Sequence, residues 1–304
     1  MVGLSLVLLA SALFASGGIF IARVLDESQV SPLGLAFWRD LGTFACLLIG
    51  VAARRPSLLR VAPRDLPYLA GMGAIGVGAV HVVWIASVGM NGVSVAAVIQ
   101  QANTPVFVAV MAWLFWREPL FKRKLLAIAL AIAGTVLIAR LDRLGAMRIT
   151  VLGLALGLAS AVTSGSFSLF GKKLSGDYSP WTILFYGFGV GTLVLLPFQI
   201  RAAFPWPLPW TVLGNYAGLV LLGTFFGYTL YTLGLSRLQA SAASLVATAE
   251  LPFTAILSYL LLRERLDPWQ VVGAALVLFG VILIALPRRL PWGQAAQSET
   301  GPRV

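Results

Sequence analysis

Ten continuous apolar runs of helix length fill this chain, at about residues 3–25, 33–53, 67–90, 93–116, 122–140, 151–171, 180–200, 211–235, 240–262 and 269–287. Each is close to the roughly 20 residues that carry an α-helix across the hydrocarbon of a bilayer, and none shows the alternating ten-residue pattern of a barrel strand. The fold class read from this pattern is an all-α integral membrane protein with ten transmembrane helices. Composition removes the soluble alternative. Of 304 residues, 59% are hydrophobic and 11% are charged, whereas soluble domains carry roughly 25% charged residues, so the apolar side chains must face lipid or one another. The first run lacks a basic leader and outlasts the apolar core of a signal peptide. Ala10-Ser11-Ala12 therefore reads as small-residue helix and not as a cleavage site.

The net charge of +11 points to anionic lipid and away from nucleic acid, because the basic residues cluster between apolar runs, as in Arg54, Arg55, Arg60, Arg64 and Lys122, Arg123, Lys124. With ten spans both termini share one side. Fourteen basic residues fall on that side and seven on the other, with Arg39 inside a span, so both termini are expected in the cytoplasm. One cysteine, Cys46, and one histidine, His81, supply neither an internal disulfide nor an ordinary zinc site. No cofactor is expected. The polar tail, 288–304, is expected to be disordered.

Self-comparison shows that the chain repeats. Trp84-Ile-Ala-Ser-Val-Gly ahead of Ser94-Val-Ala-Ala parallels Tyr231-Thr-Leu-Gly-Leu-Ser ahead of Ser241-Ala-Ala-Ser, and Pro105 pairs with Pro252 at the same offset of 147 residues. At an offset of 146, Arg117-Glu118 aligns with Arg263-Glu264, Gly134 with Gly280, and Val136-Leu-Ile-Ala with Ile282-Leu-Ile-Ala. Ser11-Ala12 pairs with Ser160-Ala161, and Ser31-Pro32 with Ser179-Pro180. The expected organisation is a first five-helix repeat at 1–148, a second at 149–287 and the tail. Five is odd, so the second repeat enters the membrane inverted relative to the first. Two similar units in opposed orientations can exchange conformations around a midplane site, which is the structural basis of alternating access. A stable bundle built by duplication is the plainer reading of the same symmetry.

These residues resemble the EamA family of the drug/metabolite transporter superfamily over nearly the whole chain, to about residue 287. In that family each repeat carries a small-residue helix with a midspan proline and a closing glutamate, then a glycine-containing last helix. Ala96 to Glu118 and Ala242 to Glu264, followed by Gly134 and Gly280, match that pattern. Arg39 also looks like the family's arginine on the second span, although its repeat mate is Gly187. The overall pattern most resembles the YddG-type aromatic amino-acid exporter. The resemblance implies a secondary transporter in a bacterial inner membrane that exports aromatic and other neutral amino acids or related metabolites, acting as a monomer or a homodimer.

Polar groups deep in a span usually face a cavity or a partner. His81 and Trp84 lie three residues apart on the third span, and Tyr228 and Tyr231 repeat that spacing on the eighth. Ring-bearing walls suit a flat apolar ligand or a cation; packing is the plainer role. Gln100, Gln101, Asn103 and Thr104 precede Pro105, while Ser244, Thr248 and Glu250 precede Pro252. The two prolines would free the carbonyls of Gln101 and Thr248 and act as hinges. The substrate-binding set expected from sequence is His81, Trp84, Gln100, Gln101, Asn103, Tyr228, Tyr231, Ser244, Thr248 and Glu250. Polar side chains that only knit helices together are the alternative. Glu250 stands out as a midspan carboxylate with no adjacent base, unlike Asp40 beside Arg39. Glu118 and Glu264 read as solvated helix ends, or as ion-pair latches that break when the repeats exchange.

Competing functions draw less support from the residues. Export of amphipathic cations would use Glu250 and the aromatics. Nucleotide-sugar exchange would call for cavity Lys or Arg, and the spans offer only Arg39. Gly71-Met-Gly-Ala-Ile-Gly has no following Lys-Ser or Lys-Thr, so ATP-driven pumping has no Walker motif. An intramembrane enzyme lacks a nucleophile with its base, and a channel has no use for an inverted repeat.

Overall fold

The computed structural model describes residues 2–54, 56–139, 150–199, 208–262 and 267–285. Glu264, the expected boundary at 148 and 149, and the tail from residue 288 lie outside these residues. All regular structure described is helical. In chain order the helical segments are α1 (Val2–Glu27), α2 (Pro32–Arg54), α3 (Pro63–Asn91), α4 (Val93–Trp116), α5 (Lys122–Ile138), α6 (Val151–Leu174), α7 (Pro180–Gln199), α8 (Trp210–Leu235), α9 (Ala240–Leu261) and α10 (Pro268–Ala285).

Among the described residues nine of these are long and apolar enough to cross a membrane. The exception is α5, the expected fifth span, whose 17 residues extend about 25 Å at 1.5 Å per residue, short of the roughly 30 Å hydrocarbon core. The chain is a multi-pass membrane protein.

Helix boundaries follow local chemistry. The Ser-Pro pairs start α2 and α7 in the same way: Gly34 N–H donates to Ser31 Oγ at 3.0 Å, and Thr182 N–H donates to Ser179 Oγ at 3.2 Å. Serine caps an orphan donor while proline occupies the first turn, where its missing N–H costs nothing. Thr150 caps α6 by accepting from Gly153 N–H at 3.0 Å. Gly92, at φ 74°, separates α3 from α4, and Arg117, at φ 52°, ends α4 in a left-handed turn.

Two helices depart from a regular α-helix at matching places. Met72–Ala79 in α3 and Leu219–Phe226 in α8 are π-helical, and both lie at the 147-residue offset found by self-comparison. In the second, Thr224 Oγ1 donates to Leu219 O, five residues back, at 2.9 Å. A π segment widens the helix and turns every residue after it relative to those before. A continuous α-helical reading of the third and eighth spans missed this. The glycines before His81 were the available signal.

Helix α1 packs along α8, and α3 along α6 and α7; α2 lies against α7, α4 against α6, and α5 against α10. Glycine lets these backbones close. A Cβ on Gly134 would lie 2.5 Å from Gly273 O, and a Cβ on Gly280 would lie 2.9 Å from Ala127 O. Shifting the first pair by 146 residues gives the second with its helices exchanged. The largest buried cluster, including Val7, Leu47, Met72, Val108, Phe167, Phe188, Tyr231, Ala243 and Val281, draws on every helix but α5, and the candidate site opens beside it.

Candidate functional site

The interior holds a cavity of about 340 Å³, within the usual range of small-molecule pockets, roughly 300–1,000 Å³. Both halves of the chain wall it. Helix α1 contributes Phe14, Gly17 and Gly18, α3 contributes Gly76 and Trp84, and α4 contributes Gln101, Thr104 and Pro105. From the second half come Ser164, Phe167 and Ser168 on α6, Gly223, Thr224, Tyr228 and Tyr231 on α8, and Ser244 and Glu250 on α9. Arg39 reaches the same space from α2.

The aromatic wall is a contiguous cluster. Tyr228 stacks edge-on against Phe14 at 4.9 Å, Phe167 at 5.0 Å and Phe188 at 5.2 Å between ring centroids, geometries that ring quadrupoles favour. Tyr231 lies 6.2 Å from Phe14 and 6.1 Å from Phe167, and shares a 2.7 Å hydrogen bond with Ser168. The two tyrosines thus lean on one another's neighbours, with the Tyr231 hydroxyl satisfied inside the wall.

Of the residues expected from sequence, Trp84, Gln101, Tyr228, Tyr231, Ser244, Glu250 and the hinge candidate Pro105 line the cavity. His81, Gln100, Asn103, Thr248 and Pro252 are not among its lining residues. His81 turns toward α2, where its Nε2 meets Arg39 Nη2 and lies 3.4 Å from Asp40 Oδ2. Asp40 has no exposed surface; Arg39 donates to its Oδ1, while Oδ2, beside the imidazole, has no hydrogen-bond partner among the described residues. Asn103 Nδ2 donates to Ile99 O within its own helix at 2.7 Å, and Gln100 Nε2 reaches Ser160 O at 3.4 Å. The first bond stays within α4, and the second joins α4 to α6.

The proline sites differ between the halves. Helix α4 runs unbroken through Pro105, whereas α9 is interrupted between Ala247 and Glu250. At that break Thr248 O accepts Leu251 N–H at 3.1 Å, and Thr248 Oγ1 donates to Leu245 O at 2.6 Å. The Thr248 carbonyl, expected to be free, is therefore occupied by a tighter local turn. The break sets Glu250 at the start of a new helical segment, with the Gln101 side chain as its hydrogen-bonding neighbour across the cavity.

Arg39, Phe14 and Phe167 are wall residues that the sequence-based set omitted. Arg39 was marked only by its place inside an apolar run, and the two phenylalanines by nothing beyond ordinary hydrophobicity.

Beyond the cavity, two expectations change. Glu118 is buried, not solvated: Ala240 N–H donates to its Oε1 at 3.0 Å, Ser241 N–H approaches Oε2 at 3.4 Å, and the Ser241 hydroxyl donates to Oε2. Lys124, grouped by sequence with lipid-facing basic residues, is 1% exposed. Its Nζ donates to Ser241 Oγ at 2.8 Å and Gln239 Oε1 at 3.1 Å, and lies 3.7 Å from Glu118. The carboxylate and the two polar acceptors compensate the buried ammonium.

The model of the EamA-like transporter family matches residues 1–140 and again 151–286. An uncharacterised transporter of Archaeoglobus fulgidus is 29% identical over 231 residues, covering 75% of this chain and 81% of that protein. The inner membrane transporter YicL of Salmonella typhimurium, itself uncharacterised, is 24% identical across 94% of this chain and 96% of its own. A probable terminal-alkyne amino-acid exporter of Streptantibioticus cattleyicolor is 28% identical over 86% of each chain. One crystal structure shares the fold with a TM-score of 0.77 at 15% identity, covering 92% of this chain and 95% of that one. With the family model matching almost its full length in two segments, this chain belongs to the EamA-like transporter family.

Proposed function

We propose that this protein is a secondary transporter that exports neutral amino acids, aromatic ones among them, by alternating access. The observation that carries the reading is the cavity itself: a space of about 340 Å³ between the two halves, walled by Phe14, Trp84, Phe167, Tyr228 and Tyr231 and carrying a few polar groups. Rings accept an apolar or aromatic side chain, and the polar groups orient the backbone end of an amino acid. Similarity to a probable terminal-alkyne amino-acid exporter of Streptantibioticus cattleyicolor points the same way, as does the resemblance to YddG-type exporters.

Ten spans in two inverted repeats, at 1–148 and 149–287, are the architecture this mechanism uses. Support comes from the two separate family matches, the paired π segments and the exchanged glycine contacts of α5 and α10. In this reading the cavity lies near the bilayer midplane, Pro105 and the break before Pro252 let α4 and α9 bend, and both termini face the cytoplasm of a bacterial cell. Gln100, Asn103 and Thr248 act through helix packing, and His81 through its contacts with Arg39 and Asp40.

The test is counterflow in proteoliposomes preloaded with phenylalanine, tryptophan, methionine or threonine, with a quaternary cation and a nucleotide sugar in parallel. Saturable, stereoselective accumulation of labelled amino acid is expected, and Tyr228→Ala abolishes it. Exchange of the cation alone would move the assignment to a drug exporter.

A further inference from the structure

Two groups of opposite formal charge line the cavity: Arg39 on α2 and Glu250 on α9. Their settings differ in what they leave available. Asp40 Oδ1 accepts from Arg39 Nε at 3.1 Å and from Nη2 at 3.0 Å, and Nη2 also meets His81. Arg39 Nη1 has no hydrogen-bond partner among the described residues, while the arginine side chain keeps 13% of its surface exposed and Asp40 keeps none. Asp40 and His81 thus hold the guanidinium from behind, leaving one edge of its donor fork toward the cavity. A planar guanidinium with a spare edge is suited to a carboxylate, because its N–H groups diverge at the spacing of two oxygens.

On the other side Glu250 stands beside Gln101, an amide and not a cation. Tyr228 lines the same cavity as both charged groups. A ligand with only one charge leaves the opposite group facing a small apolar space, whereas a dipolar ligand satisfies both.

Resting on the reading of this cavity as an amino-acid site, we propose that Arg39 binds the ligand's α-carboxylate and Glu250 its α-ammonium, so that the site selects zwitterions over amines and acids of the same shape. Asp40 and His81 are positioning residues for Arg39.

The experiment measures binding of three probes to the full-length protein in nanodiscs: L-phenylalanine, 2-phenylethylamine, which lacks the carboxylate, and 3-phenylpropionate, which lacks the ammonium. The wild type is expected to bind phenylalanine about tenfold or more tightly than either, since a charge-assisted hydrogen bond is lost in each case. Arg39→Gln together with Asp40→Asn removes both members of the α2 ion pair. This variant is expected to weaken phenylalanine about tenfold and leave 2-phenylethylamine unchanged. Glu250→Gln is expected to weaken phenylalanine and leave 3-phenylpropionate unchanged. Equal weakening of phenylalanine and phenylethylamine by the α2 variant would reduce Arg39 to a structural role and overturn the proposal. So would a wild type that does not discriminate among the probes, a readout that needs no variant to fold. Phenylalanine counterflow without this selectivity defeats only the zwitterion assignment. Absence of any amino-acid counterflow defeats the amino-acid reading itself.

Discussion

The Glu118 carboxylate accepts the backbone N–H of Ala240 at 3.0 Å, so the residue that closes α4 also caps the start of α9, 122 positions along the chain. Lys124 lies against the same carboxylate at 3.7 Å, and the three groups tie the two halves together at one end of the bundle. Glu118→Ala removes a cap and the Glu118 side of this ion pair. The expected loss is about 1 kcal/mol or more, from the cap and the pair together. Adding Lys124→Met should cost less than the sum of the two single changes if the pair is coupled. Thermal unfolding in detergent of the two single variants and the double variant checks this; an additive double variant would show that the pair is not coupled.

Gly76 and Gly223 hold equivalent places in the two π segments, and neither has room for a methyl group. A Cβ on Gly76 would lie 2.8 Å from Phe167 N, and one on Gly223 would lie 2.7 Å from Gly17 Cα. Because these neighbours are backbone, alanine at either site should cost about 1–3 kcal/mol through overpacking. Gly18 lines the cavity, and its Cβ would meet nothing within 4 Å. Gly18→Ala should keep wild-type stability while narrowing the cavity, raising the KM for tryptophan more than for threonine. Melting curves and competition uptake separate the two classes of glycine.

Tyr228 and Tyr231 should respond differently to truncation. Tyr231→Phe loses only the 2.7 Å bond to Ser168, worth about 1 kcal/mol, and should retain transport. Tyr228→Ala withdraws the ring shared by Phe14, Phe167 and Phe188, with an expected cost of about 3 kcal/mol or more and loss of uptake. Proteoliposome counterflow with quantified, monodisperse protein distinguishes lost function from lost fold.

Asp40 is buried with Arg39 as its ionic partner and the His81 imidazole 3.4 Å away. Asp40→Ala leaves the guanidinium without its counter-charge and should destabilise by about 3–5 kcal/mol. The combined Arg39→Gln and Asp40→Asn change should lie closer to the wild type. Unfolding midpoints across this set report the result, and an undisturbed Asp40→Ala variant would rule out a structural ion pair.

Much of the architecture was legible in the residues. Apolar run length marked the helices, and the Ser31-Pro32 and Ser179-Pro180 pairs marked two helix starts that the structure caps alike; the π segments were not read from the sequence, although the two fall at the offset of the halves. The aromatic positions of Trp84, Tyr228 and Tyr231 were visible as well, and all three line the cavity.

The rotation of each helix was not legible, and tertiary contacts decided it. In water an amphipathic stripe shows which face of a helix turns inward; in a bilayer both lipid and core are apolar, so hydrophobic periodicity leaves the face undetermined. His81 and Trp84 share a spacing with Tyr228 and Tyr231, yet His81 meets the Arg39 guanidinium beside Asp40 and is not among the cavity's lining residues. Arg39 lines the cavity while Asp40 accepts from two of its guanidinium nitrogens. Sequence alone determined that this chain spans a membrane as a repeated set of helices. Only the packed structure decided which few polar groups meet inside it, because those pairings join residues distant in the chain through charges that burial forces together.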